Sequence, residues 1–76
     1  MDWHERIAVD ADVLVGKPVI KGTRIAVELV IDLLARGYTA QQIVDQYDHV
    51  ALDDVQACLA YAAEVLQLEK VYALPR

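Results

Sequence analysis

The sequence predicts a mainly α-helical fold, in which a trihelical, helix-turn-helix-like (homeodomain-like) core follows a short β-strand and a β-hairpin arm. Three observations support this prediction. Apolar residues recur at helical spacing over residues 27–34, and a Gly-Tyr break at 37–38 precedes a helix-start signal. A longer amphipathic stretch then covers residues 52–68. Three helices separated by short turns are typical of helix-turn-helix domains.

The chain is short enough to form one domain over residues 1–76. Its composition changes along its length, from a β-rich front to a helical back. We therefore divide it into a β arm (1–26), a three-helix core (27–68) and a tail (69–76). The tail alternates apolar and polar residues, and two interpretations stay open: a ragged end, or an extended segment that binds a partner.

The β arm is predicted from alternation and from a turn signal. Residues 6–9 alternate polar and apolar side chains, which indicates a short strand. Further along, β-branched residues flank Lys21-Gly22, where glycine supplies the positive φ of a two-residue turn, so we predict a hairpin there. Pro18 has no N–H to donate, which places its strand at an edge. Exposed edges tend to pair with other chains.

The helices are predicted from apolar spacing and capping residues. The first begins near Val27 and ends before Gly37, and the second begins at Thr39, where Gln42 completes a capping box. The third begins near Leu52 or Asp53, and its inward-facing stripe is predicted to contain Val55, Cys58, Leu59, Ala62, Val65 and Leu66.

Composition indicates association with another chain. Hydrophobic residues make up 57% of the chain, more than one small core is expected to hide. Alanine accounts for part of this excess, and a subunit interface would account for the rest. We predict a homodimer, with an interface on the β arm formed by Pro18, Val19, Ile20 and Ile25.

Charge argues against DNA reading by the helices. No Lys or Arg occurs between Arg36 and Lys70, whereas six carboxylates do, and phosphate binding needs cations. The one basic cluster lies in the arm and is formed by Lys17, Lys21 and Arg24. These cations either contact nucleic acid or an acidic partner, or simply keep an edge strand solvated.

Neither an active site nor a cofactor site is predicted. Cys58 lies on an apolar helix stripe, which favours a core residue over a nucleophile. His4 and His49 have no ligand set that matches a closed metal site. We predict a non-enzyme with no cofactor and no metal. The absence of a long apolar run or a signal-peptide pattern, together with the single cysteine, predicts a cytoplasmic location.

The sequence resembles the bacterial family designated domain of unknown function 433 (DUF433). The resemblance rests on Gly-Lys-Pro-Val-Ile-Lys-Gly-Thr-Arg-Ile at residues 16–25 and on Leu-Leu-Ala-Arg-Gly-Tyr-Thr at 33–39, and it covers about residues 6–66. Ala51 departs from the family, which often has a capping Ser or Thr there. Losing that cap would cost about 1 kcal/mol unless Asp53 replaced it.

The resemblance implies a trihelical fold with a β arm and a role as the antitoxin of a toxin–antitoxin pair, often beside a PIN-like ribonuclease toxin. It implies no catalytic residues. The leading hypothesis is thus a protein that covers a toxin. The alternative is a dimeric transcriptional regulator that contacts DNA, such as its own operator, through the basic arm.

Overall fold

The computed structural model describes residues 2–68 and confirms the mainly helical fold with a two-stranded antiparallel sheet at its start. The strands are β1 (Ile7–Val9) and β2 (Pro18–Ile20), and the helices are α1 (Val27–Ala35), α2 (Ala40–Gln46) and α3 (Leu52–Leu68). Single 3₁₀ turns lie at Trp3–Glu5 and Leu14–Gly16. None of the helices described combines the length and apolar character that a membrane span requires.

The sheet does not form between the two segments that flank Lys21-Gly22, where the turn signal predicted a hairpin. Strand β1 pairs with β2, with Ile7 opposite Ile20, so the connecting loop covers residues 10–17. At Lys21-Gly22 the chain does turn, because the Thr23 N–H donates to the Ile20 carbonyl at 3.0 Å. The predicted second strand after this turn is reduced to one isolated bridge, since the chain enters α1 at Val27.

The core lies between the sheet and the first half of α3. Its central cluster draws on every main element, and its buried residues are Ile7, Ile20, Val27, Val30, Ile43, Val50, Val55, Ala57 and Cys58. Within α3, all buried residues fall between Asp54 and Cys58. The predicted inward stripe is therefore wrong for Leu59 and Leu66, which are 42% and 62% exposed, whereas Ala62 and Val65 are half-buried. Helix α3 has 17 residues against 9 in α1, so it extends beyond the elements that cover its first turns.

Two different caps start the later helices. The predicted capping box is confirmed, since the Gln42 N–H donates to Thr39 Oγ1 at 3.1 Å and the Thr39 N–H donates to Gln42 Oε1 at 2.8 Å. At α3 it is not Asp53 that compensates for the missing Ser or Thr at position 51. Asp54, one position later, accepts the Ala51 N–H at 2.8 Å, because the third helical residue can reach back to the residue before the helix.

The loop between the strands contains a strained turn. Leu14, Val15 and Gly16 have φ values of 47°, 56° and 81°, which lie in the left-handed region. Glycine adopts this region freely, whereas a β-branched residue does so only at a cost of about 1–2 kcal/mol. Val15 is also 95% exposed, so it gains little packing in the isolated chain to offset that cost.

Replacing Val15 by asparagine is expected to raise the free energy of unfolding by up to about 1 kcal/mol, because asparagine tolerates left-handed backbone. Urea unfolding followed by circular dichroism measures the change. Val9→Asn is the control, because Val9 is also exposed but lies in regular β1. Equal effects at the two positions would argue against relief of strain at Val15.

Candidate protein-interaction surface

An apolar groove of about 350 Å³ opens between the start of β2, helix α1 and the second half of α3. We call it the α1–α3 groove. Apart from the hydroxyl of a tyrosine, the side chain of Glu28 is the one ionisable group along its walls. The residues that line it are Pro18, Val27, Glu28, Ile31, Tyr61, Ala62, Val65 and Leu66.

The groove follows from helix periodicity and from the different helix lengths. Val27 and Ile31 are four residues apart on α1, and Ala62, Val65 and Leu66 are three and four apart on α3, so each set lies on one helix face. The two helices contact each other. The small side chain at Ala62 leaves space between them, and the last turns of α3 have no buried residue of their own. The result is an apolar surface without a covering element among the described residues.

Two sets of side-chain contacts lie at the walls of the groove. At one edge, Lys17 Nζ donates to Glu28 Oε1 at 2.6 Å, joining the residue before β2 to α1. On the α3 side, Trp3 packs edge-on against Tyr61, with ring centroids 4.8 Å apart, and its indole N–H donates to Glu64 at 2.7 Å. The N-terminal segment is thus docked on α3 through Trp3.

Hydrogen bonds and ion pairs connect the residue before β1 to the start of α3. Arg6 Nη1 donates to Asp54 Oδ1 at 3.1 Å, and Arg6 Nη2 lies 3.5 Å from Asp53 Oδ2. Asp54 is only 8% exposed, and its second oxygen accepts the Ala51 N–H, so both its oxygens are hydrogen-bonded. Nearby, Lys21 Nζ donates to the His4 carbonyl at 3.1 Å. These bonds fix the register of the arm against the helices, which is a structural role.

The predicted basic cluster does not form one patch. Lys17 pairs with Glu28, and it lies four positions before Lys21, roughly 13 Å along an extended chain. Lys21 and Arg24 lie at the two ends of the exposed turn after β2. Among residues 2–68, the Arg24 side chain makes neither a hydrogen bond nor an ion pair. The structure therefore retains two of the three cations as a small basic turn.

The structure also redistributes the residues predicted for the interface. Val19 and Ile20 are each 2% exposed and belong to the core, so their side chains have no surface to offer a partner. Ile25 is half-buried and packs against the same core. Pro18 alone opens onto the α1–α3 groove. Contact with a partner through Val19 or Ile20 is therefore ruled out, whereas Pro18 can take part in it through the groove.

The outer surfaces of α2 and α3 are acidic. Residues 37–68 contain no Lys or Arg, and their carboxylates at Asp45, Asp48, Asp53 and Glu64 are exposed. Asp53 lies near Arg6, and Glu64 accepts the indole N–H of Trp3. Asp45 accepts only from the neutral amide of Gln41 among the described residues. The helical half thus presents a negative field beside an apolar groove.

Cys58 belongs to the core and not to a reactive site. Its side chain is fully buried, and burial raises the pKa of its thiol to about 12, with a further contribution from the Asp54 carboxylate. The unfolded thiol ionises near its ordinary value of 9.0. Between these pH values the unfolded state has lost the proton that the native state keeps, so stability falls as pH rises.

This thiol is expected to remove about 1.4 kcal/mol of stability for each pH unit between about 9 and 12. Urea unfolding of the wild type and of Cys58→Ala, each under reducing conditions, measures the effect at about pH 8 and pH 10.5. The difference in unfolding free energy between the two proteins should shrink as pH rises. A difference that does not change with pH would contradict the assignment.

The comparisons with known proteins agree with the elements described above. A family model described as "Protein of unknown function (DUF433)" matches residues 7–62. An uncharacterized protein of Archaeoglobus fulgidus is 71% identical over 24 residues, which are 32% of this chain and 67% of that protein. No solved structure gives a significant match. The family match starts at β1 and ends within α3, and it includes six of the eight groove residues; Val65 and Leu66 lie beyond it.

Proposed function

We propose that this chain, which belongs to the DUF433 family, is a non-catalytic protein-binding module that acts in the cytoplasm as the antitoxin of a toxin–antitoxin pair. Its partner is a PIN-like ribonuclease toxin, and the chain acts by covering it. The family description names no activity, so support for the proposal comes from the surface of this chain and from the resemblance of its sequence to antitoxin-like proteins.

The observation that carries the proposal is the α1–α3 groove. An amphipathic helix or an extended segment binds in such grooves by inserting a few apolar side chains spaced along one face. Pro18, Ile31 and Val65 offer the matching apolar walls. Because Lys17 and Glu28 neutralise each other at the edge, the groove selects for apolar anchors rather than for a charged ligand.

Charge supports a ribonuclease as the partner. A protein that cuts RNA needs a basic surface to bind the phosphate backbone. The exposed carboxylates of α2 and α3, with no Lys or Arg over residues 37–68, complement such a surface. Complementary fields speed association and orient the two proteins, while the groove provides the apolar contact.

Co-expression with the protein encoded by the neighbouring gene tests the proposal. We expect a complex that co-purifies, growth that is restored when both proteins are made, and ribonuclease activity that falls to background at an equimolar ratio. A neighbouring protein that neither binds the chain nor loses toxicity in its presence would overturn the proposal.

A second candidate function rests on the exposed turn that carries Lys21 and Arg24. Neither side chain has an acidic partner among residues 2–68, and a dimer would present the turn twice. This arrangement favours contact with phosphates at an operator. The acidic helices would then lie away from the DNA.

Gel shifts at low salt with the chain's own promoter test this second function. Lys21→Ala combined with Arg24→Ala should abolish the shift. Arg36→Ala, which removes an exposed cation that follows α1 and pairs with Asp32, should leave it intact. Absence of a shift with the wild type would exclude the second function.

A further inference from the structure

Helix α3 carries a row of exposed leucines at heptad spacing. Leu52, Leu59 and Leu66 are seven residues apart and are 51%, 42% and 62% exposed. Seven residues make nearly two helical turns, so the three side chains align along one face, with a drift of about 20° per heptad. The row spans about 21 Å at 1.5 Å per residue.

Two further exposed positions complete the pattern. Gln56 and Ala63 lie between the leucines, so residues 52, 56, 59, 63 and 66 alternate spacings of four and three. This alternation matches the spacing of the two core positions of a two-stranded coiled coil; leucine occupies one of them, and Gln56 and Ala63 occupy the other. We call these five residues the leucine seam. It meets the α1–α3 groove only at Leu66.

We propose that the leucine seam is the dimer interface of this protein and that its occupant is α3 of a second copy of the chain. The predicted homodimer then pairs through α3, and the β arm, whose Val19 and Ile20 lie in the core, takes no part in it. The seam is held in helical form by the packing of the first half of α3, so pairing does not have to order it.

The flanks of the seam favour a second copy over a charged partner. On one side lie Asp53, Ala60 and Gln67; on the other lie Val55, which is buried in the core, and Ala62, which lines the groove. Asp53 is the only charge among them, and it lies next to Arg6. Two copies therefore meet without facing rows of like charge. A basic helix, in contrast, would find no row of carboxylates beside the seam, because Glu64 lies on a different face and bonds Trp3.

The packing at the seam also suits identical helices. When the same positions face each other, leucines meet leucines, and the side chains of Gln56 can pair through their amides. Ala63 lets the two backbones approach closely. The apolar composition, 57% of the chain, agrees with an interface of this kind in addition to the small core.

Analytical ultracentrifugation of the full chain over a concentration series tests the proposal. The wild type should sediment as a dimer, and Leu59→Lys should raise the dimer dissociation constant about 100-fold or more. Leu29→Lys is the matched control, because Leu29 is an exposed leucine on α1 outside the seam. It should dimerise like the wild type.

A gain-of-function variant keeps the test decisive if Leu59→Lys does not fold. Gln56→Leu adds an apolar side chain to the seam and should tighten the dimer about tenfold. A wild type that stays monomeric at every concentration, a Leu29→Lys effect as large as that of Leu59→Lys, or no tightening in Gln56→Leu would overturn the proposal. Leu59 and Leu29 lie outside the α1–α3 groove. Loss of the dimer in these variants can therefore be distinguished from loss of toxin binding.

Discussion

Replacing Asp54 by alanine is expected to lower the free energy of unfolding by about 2–4 kcal/mol. The change removes the acceptor of the Ala51 N–H, 2.8 Å away, and leaves that donor at the start of α3 without its cap. It also removes the partner of Arg6 Nη1 at 3.1 Å. The side chain of Arg6 is 38% exposed, so water recovers part of that loss, and the cost stays below that of breaking a fully buried pair.

Urea unfolding at a fixed protein concentration measures the change, and Asp53→Ala is the control. Asp53 is the adjacent carboxylate, but its side chain is 65% exposed and lies 3.5 Å from the same guanidinium. Its replacement should cost less than about 0.5 kcal/mol. Similar losses in the two variants would show that Asp54 does not join the arm to the helices.

The second large effect is expected for Ile43→Ala, with a loss of about 3–4 kcal/mol. Ile43 is 0% exposed and is the one fully buried residue of α2. The substitution leaves a cavity among side chains of the other helices, which cannot close it without moving. A chain of 76 residues has a total stability of roughly 4–11 kcal/mol, so this variant lies close to unfolding at ordinary temperature.

Thermal unfolding followed by circular dichroism measures this effect, and Val44→Ala provides the comparison. Val44 is the next residue on α2 and is half-buried, so it should cost roughly half as much or less. Equal losses at the two positions would contradict the placement of α2 in which Ile43, and not Val44, faces the centre of the core.

Much of the helical fold could be predicted from local sequence because its signals are local. Spacing of apolar residues placed α1 and α3, Gly37 marked the end of α1, and the Thr39 capping box marked the start of α2. The strand pairing could not be predicted in the same way. It depends on where the chain turns into α1, which makes the segment after Gly22 too short to form a second ladder.

The interaction surface was harder to predict because it depends on contacts between distant residues. Arg6 and Asp54 are 48 positions apart, and no periodic pattern links them. The α1–α3 groove depends on the amount by which α3 exceeds α1. Sequence spacing assigned Leu59 and Leu66 to a core stripe, since periodicity shows which face is apolar but not whether another element covers it.

The direct test of the central claim is the affinity of the purified chain for the neighbouring gene's product, measured by calorimetry with groove and control variants. Val65→Lys places a charge in the α1–α3 groove and should weaken binding about 100-fold or more. Leu29→Lys adds the same charge at an exposed position of α1, outside both the groove and the acidic surfaces of α2 and α3, and should change the affinity less than about threefold. Equal affinities for the wild type and Val65→Lys, with Val65→Lys folded, would contradict binding through the groove.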